Sequence, residues 1–254
     1  MGKWKRLFTM VMILLFLTGL FLLLYPYLYG GLTEIRILGT AEEFLSRVEL
    51  PVFIQQNGVH VPAHTVPVEE GNSAAKRSYP ELWADMCVYN DTIYRNAQMG
   101  LSCEAAYEVP SFVLEDYGLD SEAFGVLSIP ILEFSMPIYL GATDRHMSDG
   151  VAHLSQTSLP IGGKNTNAVL AGHRGWYGAD FLRYIEKLNI GDEVIVTNLW
   201  ETLCYEVCEI RIIEPTQVEA ILIQPDRELL TLLTCHPYAS GGRQRYLVIC
   251  ERTK

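Results

Sequence analysis

Residues 229–250 read LLTLLTCHPYASGGRQRYLVIC, and the fold follows from this stretch. Two apolar runs, 229–235 and 245–250, flank a loop that carries Pro237 and Gly241-Gly242. Short apolar runs bounded by turn residues predict β-strands. If the two strands are neighbours joined by residues 236–244, Arg245 returns close to Cys235. Similar runs recur upstream at 126–132, 136–142, 167–173, 192–198 and 202–213. Turn signals separate them, among them Gly162-Gly163 and Asn189-Ile190-Gly191-Asp192. A single helical segment, 179–188, interrupts the series, with Phe181, Leu182, Ile185 and Leu188 on its apolar face. Many short strands with few helices predict a mainly β protein whose sheet closes, or nearly closes, into a barrel over residues 125–254.

The region before the barrel is different in kind. Residues 7–24 read LFTMVMILLFLTGLFLLL, 18 residues without a charge. About 20 apolar residues cross a bilayer as a helix. The exit Tyr25-Pro26-Tyr27-Leu28-Tyr29 lacks a small-x-small cleavage site and resembles an interfacial aromatic belt. Residues 1–33 are therefore expected to form a cytoplasmic tip and an uncleaved, single-pass anchor. Lys3, Lys5 and Arg6 keep the N-terminus cytoplasmic, so the body is expected outside the cell membrane. Residues 34–124 read as a helical extension. Thr40-Ala41-Glu42-Glu43 has the form of a capping box that opens a short helix to about Val48, ended by Pro51. A second helix starts near Pro80, with Leu82, Met86, Tyr89, Ile93 and Ala97 on one face. Residues 100–124 are irregular.

Charge and cysteine content narrow the function. The chain has 19 basic and 30 acidic residues, and positions 34–254 carry 16 and 30 of these, a net of −14. Such a body does not seek anionic polymers, so no nucleic-acid partner is expected. No metal-ligand spacing such as Cys-x-x-Cys is present, and neither a metal nor a cofactor is expected. Six cysteines face an oxidising compartment: Cys87, Cys103, Cys204, Cys208, Cys235 and Cys250. Cys204 and Cys208 lie four residues apart on one strand, roughly 13 Å, too far for a bridge. They read as small core residues, and a Cys87–Cys103 link stays open.

Three residues at strand termini carry the candidate chemistry. Cys235 ends an apolar strand, whereas a structural cysteine such as Cys250 sits inside one. His173 ends NAVLAGH, residues 167–173, and begins the loop Arg174-Gly175-Trp176-Tyr177-Gly178. Arg245 opens the last strand. Taken singly, His173 fits a structural histidine and Arg245 a surface arginine.

Together they carry a resemblance. Thr231-Leu232-Leu233-Thr234-Cys235-His236-Pro237-Tyr238, Ala171-Gly172-His173-Arg174-Gly175, Gly150-Val151-Ala152-His153-Leu154, residues 157–163 and Arg245-Tyr246-Leu247-Val248 resemble a sortase, most closely the class C, pilin-polymerising branch. The resemblance covers about residues 125–252 and implies a sortase-like β-barrel with short helices. It also implies a cysteine transpeptidase that cleaves an LPxTG-like sorting signal and joins it to an amine. Cys235 would be the nucleophile, a protonated His173 would stabilise its thiolate, and Arg245 would stabilise charge and position substrate. Partners implied are pilins or other surface proteins bearing the signal, an acceptor amine from a pilin lysine or a cell-wall precursor, and the membrane. Substrate contacts are expected at Thr234, Leu159, Pro160, Ile161 and Ile212. A lid is expected within 100–124, with Pro110, Phe112, Asp116 and Tyr117 as its candidates. The Asp-Pro-aromatic lid motif usual in class C members is absent, as is a second, C-terminal apolar segment. A cell-wall-anchoring sortase and a non-catalytic, membrane-tethered assembly module are the alternatives. A papain-like order is disfavoured, because here the histidine precedes the cysteine.

Overall fold

A computed structural model describes residues 2–48, 78–102, 107–176 and 179–253. The first helix, α1, runs unbroken over Gly2–Arg47 and contains Pro26. Over Trp4–Arg47 it is long and apolar enough to cross a membrane, with a mean hydropathy of 2.8 in its most apolar window. The capping box does not form. Thr40 lies inside the helix, where its hydroxyl donates to the Arg36 carbonyl at 3.1 Å. A side chain satisfied by its own helix has no reason to cap a new one, so anchor and extension are continuous. The expected stop at Pro51 and the Cys87–Cys103 link involve residues outside the described set.

The barrel is closed in the order β1-β2-β3-β4-β7-β8-β6-β5. Its strands are β1 Ala123–Ile129, β2 Phe134–Leu140, β3 Val151–His153, β4 Thr166–Ala171, β5 Glu193–Asn198, β6 Thr202–Ile213, β7 Glu228–His236 and β8 Gln244–Arg252. Most neighbours are antiparallel, but β2 and β3, and β4 and β7, are parallel. Alternation fills the interior from every strand: Leu127, Ile138, Val151, Leu170, Val196, Val207, Leu232 and Val248 are all buried there. A 3-10 helix over Phe181–Lys187 closes the end at which β7 finishes. It inserts Phe181, Leu182 and Ile185 into the same cluster.

Two helices pack on the outside. Ala41 and Phe44 of α1 lie against Ala123, Val126 and Tyr139, and Arg36 pairs with Asp149 at 2.7 Å. The second helix, α2, spans Pro80–Arg95 and buries Leu82, Met86 and Ile93 as its periodicity predicts. The polar exception on that face is Asn90. Its amide accepts from the Leu159 N–H at 2.7 Å and donates to the Leu159 carbonyl at 3.3 Å, fixing residues 158–161 beneath the helix. His153 is fully buried at the end of β3 and donates from Nε2 to the Ser158 carbonyl at 2.9 Å. Burial holds its pKa down at about 4, so it is a neutral hydrogen-bonding residue.

Candidate active site

The register of three strands aligns the three residues. Cys235 on β7 is directly paired with Arg245 on β8. On the other side of β7, Ala171 of β4 pairs with Leu233. The pairing extends past the strand, since the Gly172 amide donates to the Leu233 carbonyl at 3.0 Å. The Thr234 hydroxyl then donates to the Gly172 carbonyl at 2.7 Å. Continued one step, the parallel register sets His173 level with Cys235. Side chains alternate along a strand, so His173, Cys235 and Arg245 share the outward face. All three are half-buried.

The row is held from both sides. Arg245 Nη1 donates to the Gly242 carbonyl at 2.7 Å and to the Gln244 carbonyl at 3.2 Å. Its Nε and Nη2 make no hydrogen bond among the described residues, so donors remain for an incoming carbonyl or oxyanion. Gly242 has φ +77°, and a Cβ there would lie 3.2 Å from both Cys235 Sγ and Arg245 Nη1. Sulfur and guanidinium therefore flank one point, and glycine leaves it open. On the far side, the His173 ring stacks on Trp176 at 4.2 Å and 7°, and meets Phe181 edge-on at 5.8 Å. Burial lowers its pKa, against a smaller opposing pull from Asp144. The expectation of a resident protonated His173 thus meets an opposing effect, and the neutral imidazole is favoured. Burial pushes the Cys204, Cys208 and Cys250 thiols up, as befits structural cysteines.

One residue further along each strand lies a second row, which sequence reading missed. Arg174, His236 and Tyr246 face the barrel interior behind the first row. Arg174 is buried and donates from Nη1 to His236 Nδ1 at 2.8 Å and to the Cys235 carbonyl at 3.3 Å. Its Nη2 pairs with Glu186, whose other oxygen lies 3.2 Å from His236 Nδ1. Its guanidinium stands 5.6 Å from the Tyr246 ring centre. The available signal was the alternation itself: the polar or aromatic residue that follows each outward residue must point inward.

The remaining expected residues are elsewhere. Thr234 is buried and ties β7 to β4. Leu159, Pro160 and Ile161 are buried under α2, at the end where β7 begins. Ile212 is open and pairs with Tyr246 on β8, beside the Ile213–Arg245 pair. Pro110 packs against Gly141, and Phe112 and Tyr117 join the α2 cluster, with Tyr117 donating to Asp85 at 2.8 Å. Asp116 immediately precedes Tyr117 in the same 3-10 turn. The preceding segment takes a different course. Leu101 and Tyr107 lie on the outward face of β4, β7 and β8 with Val169, Leu229, Leu233 and Ile221. Gln98 locks this segment to the far wall by accepting from the Ile223 amide at 2.6 Å.

The description "Sortase domain" matches residues 127–253, half of the chain. The chain belongs to the sortase family. Among curated relatives, Sortase D of Bacillus subtilis strain 168 is 28% identical over 133 residues, 52% of this chain and 64% of that protein. Sortase A of Streptococcus agalactiae serotype III strain NEM316 is 30% identical over 115 residues, 44% of this chain and 46% of that protein. The chain thus spans less than two thirds of the length of either. Among solved structures, the Group B Streptococcus Pilus Island 1 sortase C2 is 32% identical with a TM-score of 0.61, covering 69% of this chain and 97% of that one. Sortase C of Clostridium perfringens, solved with the C-terminal cell wall sorting motif, is 26% identical with a TM-score of 0.63, covering 85% of this chain and 99% of that one. In this sortase the three half-buried residues lie at one end of the barrel, where β4, β7 and β8 run side by side.

Proposed function

We propose that this sortase is a membrane-anchored cysteine transpeptidase that cuts a sorting signal and joins it to an amine. The observation that supports this most is the lateral row of His173, Cys235 and Arg245 on one face. Cys235 Sγ attacks the scissile carbonyl while His173 takes the thiol proton. Arg245 donates to the oxyanion that forms. The imidazolium then gives its proton to the leaving amine, the C–N bond breaks and a thioacyl enzyme remains. An acceptor amine attacks that carbonyl and loses its proton to His173; the C–S bond breaks and the departing sulfur takes that proton back, restoring thiol and neutral imidazole. A neutral resting His173 suits this order, because it must begin as a base.

The outward face of β4, β7 and β8 supplies the binding surface. Its apolar floor leads to Cys235 from the side now covered by residues 98–102 and 107–109. We assign to this segment the part of lid, keeping water from the floor until an extended peptide displaces it. Ile213, paired with Arg245 and packed on the same face, and the Arg245 donors border the other side, whereas Ile212 pairs with the inward Tyr246. α1 anchors the protein with its N-terminus cytoplasmic and its barrel outside. The acceptor is a pilin lysine by likeness to the pilus-island sortases, with a cell-wall precursor amine as the alternative.

Incubating the full chain with sorting peptides and pilin subunits tests the proposal. Covalent ladders are the expected product. Single amine adducts would favour wall anchoring, and an alkylation rate for Cys235 equal to that of the structural cysteines would remove the enzyme reading.

A further inference from the structure

α1 passes without a break from its apolar stretch to the flank of the barrel. Tyr25, Tyr27 and Tyr29 mark the level at which such a helix leaves the hydrocarbon. Glu34, five residues beyond Tyr29, accepts a hydrogen bond from the Asp180 amide at 3.0 Å. Five residues rise about 8 Å along a helix axis, and the headgroup layer is roughly 5–8 Å thick on each side. Asp180 leads into the 3-10 helix that closes the barrel end.

The order of contacts along α1 gives the orientation. Glu34 meets Asp180 first. Ile37 then joins Phe181, Leu182 and Ile185. Ala41 and Phe44 follow against Ala123 and Tyr139, the ends of β1 and β2 remote from the Ile129–Phe134 pair. The helix therefore climbs the barrel from the end carrying the catalytic row towards the other. That first end faces the bilayer.

What it presents there fits an interface. The 3-10 helix buries Phe181, Leu182 and Ile185 and turns Arg183, Tyr184 and Lys187 outward. The Arg183 guanidinium lies 4.8 Å from the Tyr238 ring centre and 5.6 Å from that of Tyr184, and Lys187 Nζ lies 4.3 Å from Tyr184. Ile131, in the β1–β2 turn, and Ile190, just before β5, are both exposed. Pairing of β1 with β2 and β5 places both turns at this same end. Apolar bodies with charged or hydroxyl tips are what an interfacial layer accommodates. With a net charge of −14 over residues 34–254, attraction to anionic lipid does not bring the surface down; the helix length does.

We propose that the surface formed by Ile131, Arg183, Tyr184, Lys187, Ile190 and Tyr238 rests in the headgroup layer of the bilayer that α1 spans. The row of His173, Cys235 and Arg245 then opens at the membrane surface. Donors and acceptors held in the same leaflet reach the sulfur by lateral diffusion. This rests on the reading of α1 as an anchor.

The test reconstitutes the full chain in phosphatidylcholine vesicles with an environment-sensitive fluorescent amino acid replacing Leu17, Tyr184 or Lys164. Nitroxide lipids carry the quencher at mid-chain or at the headgroup. The expected pattern is quenching of position 17 by the mid-chain label, of position 184 by the headgroup label at least twofold, and of position 164 by neither. Equal headgroup quenching at 184 and 164, with 17 still quenched from mid-chain, overturns the proposed surface and leaves the anchor standing. An unquenched position 17 overturns the anchor reading itself.

Discussion

Two rows of side chains share the same three strand ends and differ in almost every other respect. The outward row of His173, Cys235 and Arg245 is half-buried, and its thiol and two guanidinium nitrogens lack fixed partners among the described residues. The inward row of Arg174, His236 and Tyr246 sits one residue later on each strand and is tied together with Glu186. The backbone is common to both, so the difference comes from which side of the sheet is dry. Open donors and a thiol are tolerable where a substrate or water can reach them. Behind the sheet, a buried guanidinium has to be paired. The inner row thereby holds the strand ends that aim the outer one.

Breaking the outer row should show the largest effects. Cys235→Ala should abolish turnover, with no thioacyl adduct in intact-mass spectra; an adduct on that variant would remove Cys235 as nucleophile. His173→Ala should lower kcat/KM by about 10²–10⁴-fold while the unfolding midpoint changes little. A loss of tenfold or less would reassign the proton-transfer role. Arg245→Lys replaces a planar fork with a point charge and should cost roughly 10–100-fold in kcat.

The inner row should answer differently. Arg174→Met keeps bulk but leaves His236 and Glu186 without their shared donor. Glu186 is half-exposed, so the expected loss of stability in urea unfolding is modest, about 1–2 kcal/mol. A variant as stable as the parent would show that the inner network does not hold the strand ends. The smallest effect concerns the acid limb of the pH profile. Burial lowers the His173 pKa, so the basic form persists below pH 6.5 and activity should fall only below that value. Trp176→Ala removes the ring stacked on His173 and should move the limb upward, since less burial then opposes protonation. For stability the sign is the same as for any histidine buried neutral: its contribution is present above pH 6.5 and is lost as pH falls through the lowered folded value.

Much of the barrel was legible because alternation and turn residues are local signals. The runs at 192–198 and 202–213 became β5 and β6 almost residue for residue. β3 was missed as a strand because three residues are too few to show a period. The continuity of α1 was hidden because Thr40-Ala41-Glu42-Glu43 satisfies a capping pattern equally well inside a helix. Leu159, Pro160 and Ile161 read as apolar but gave no sign of their cover, which is α2, some seventy residues earlier in the chain.

Local chemistry written along the chain sufficed to name the barrel, the apolar helix and three terminal residues fit for thiol chemistry. Register was different, because it depends on which strands become neighbours. Only the closed sheet set His173 and Arg245 on either side of Cys235, buried Arg174 behind them and ran α1 up the barrel from that same end. Hydrogen-bond pairing between strands distant in sequence is a property of the assembled sheet, and no single segment encodes it alone.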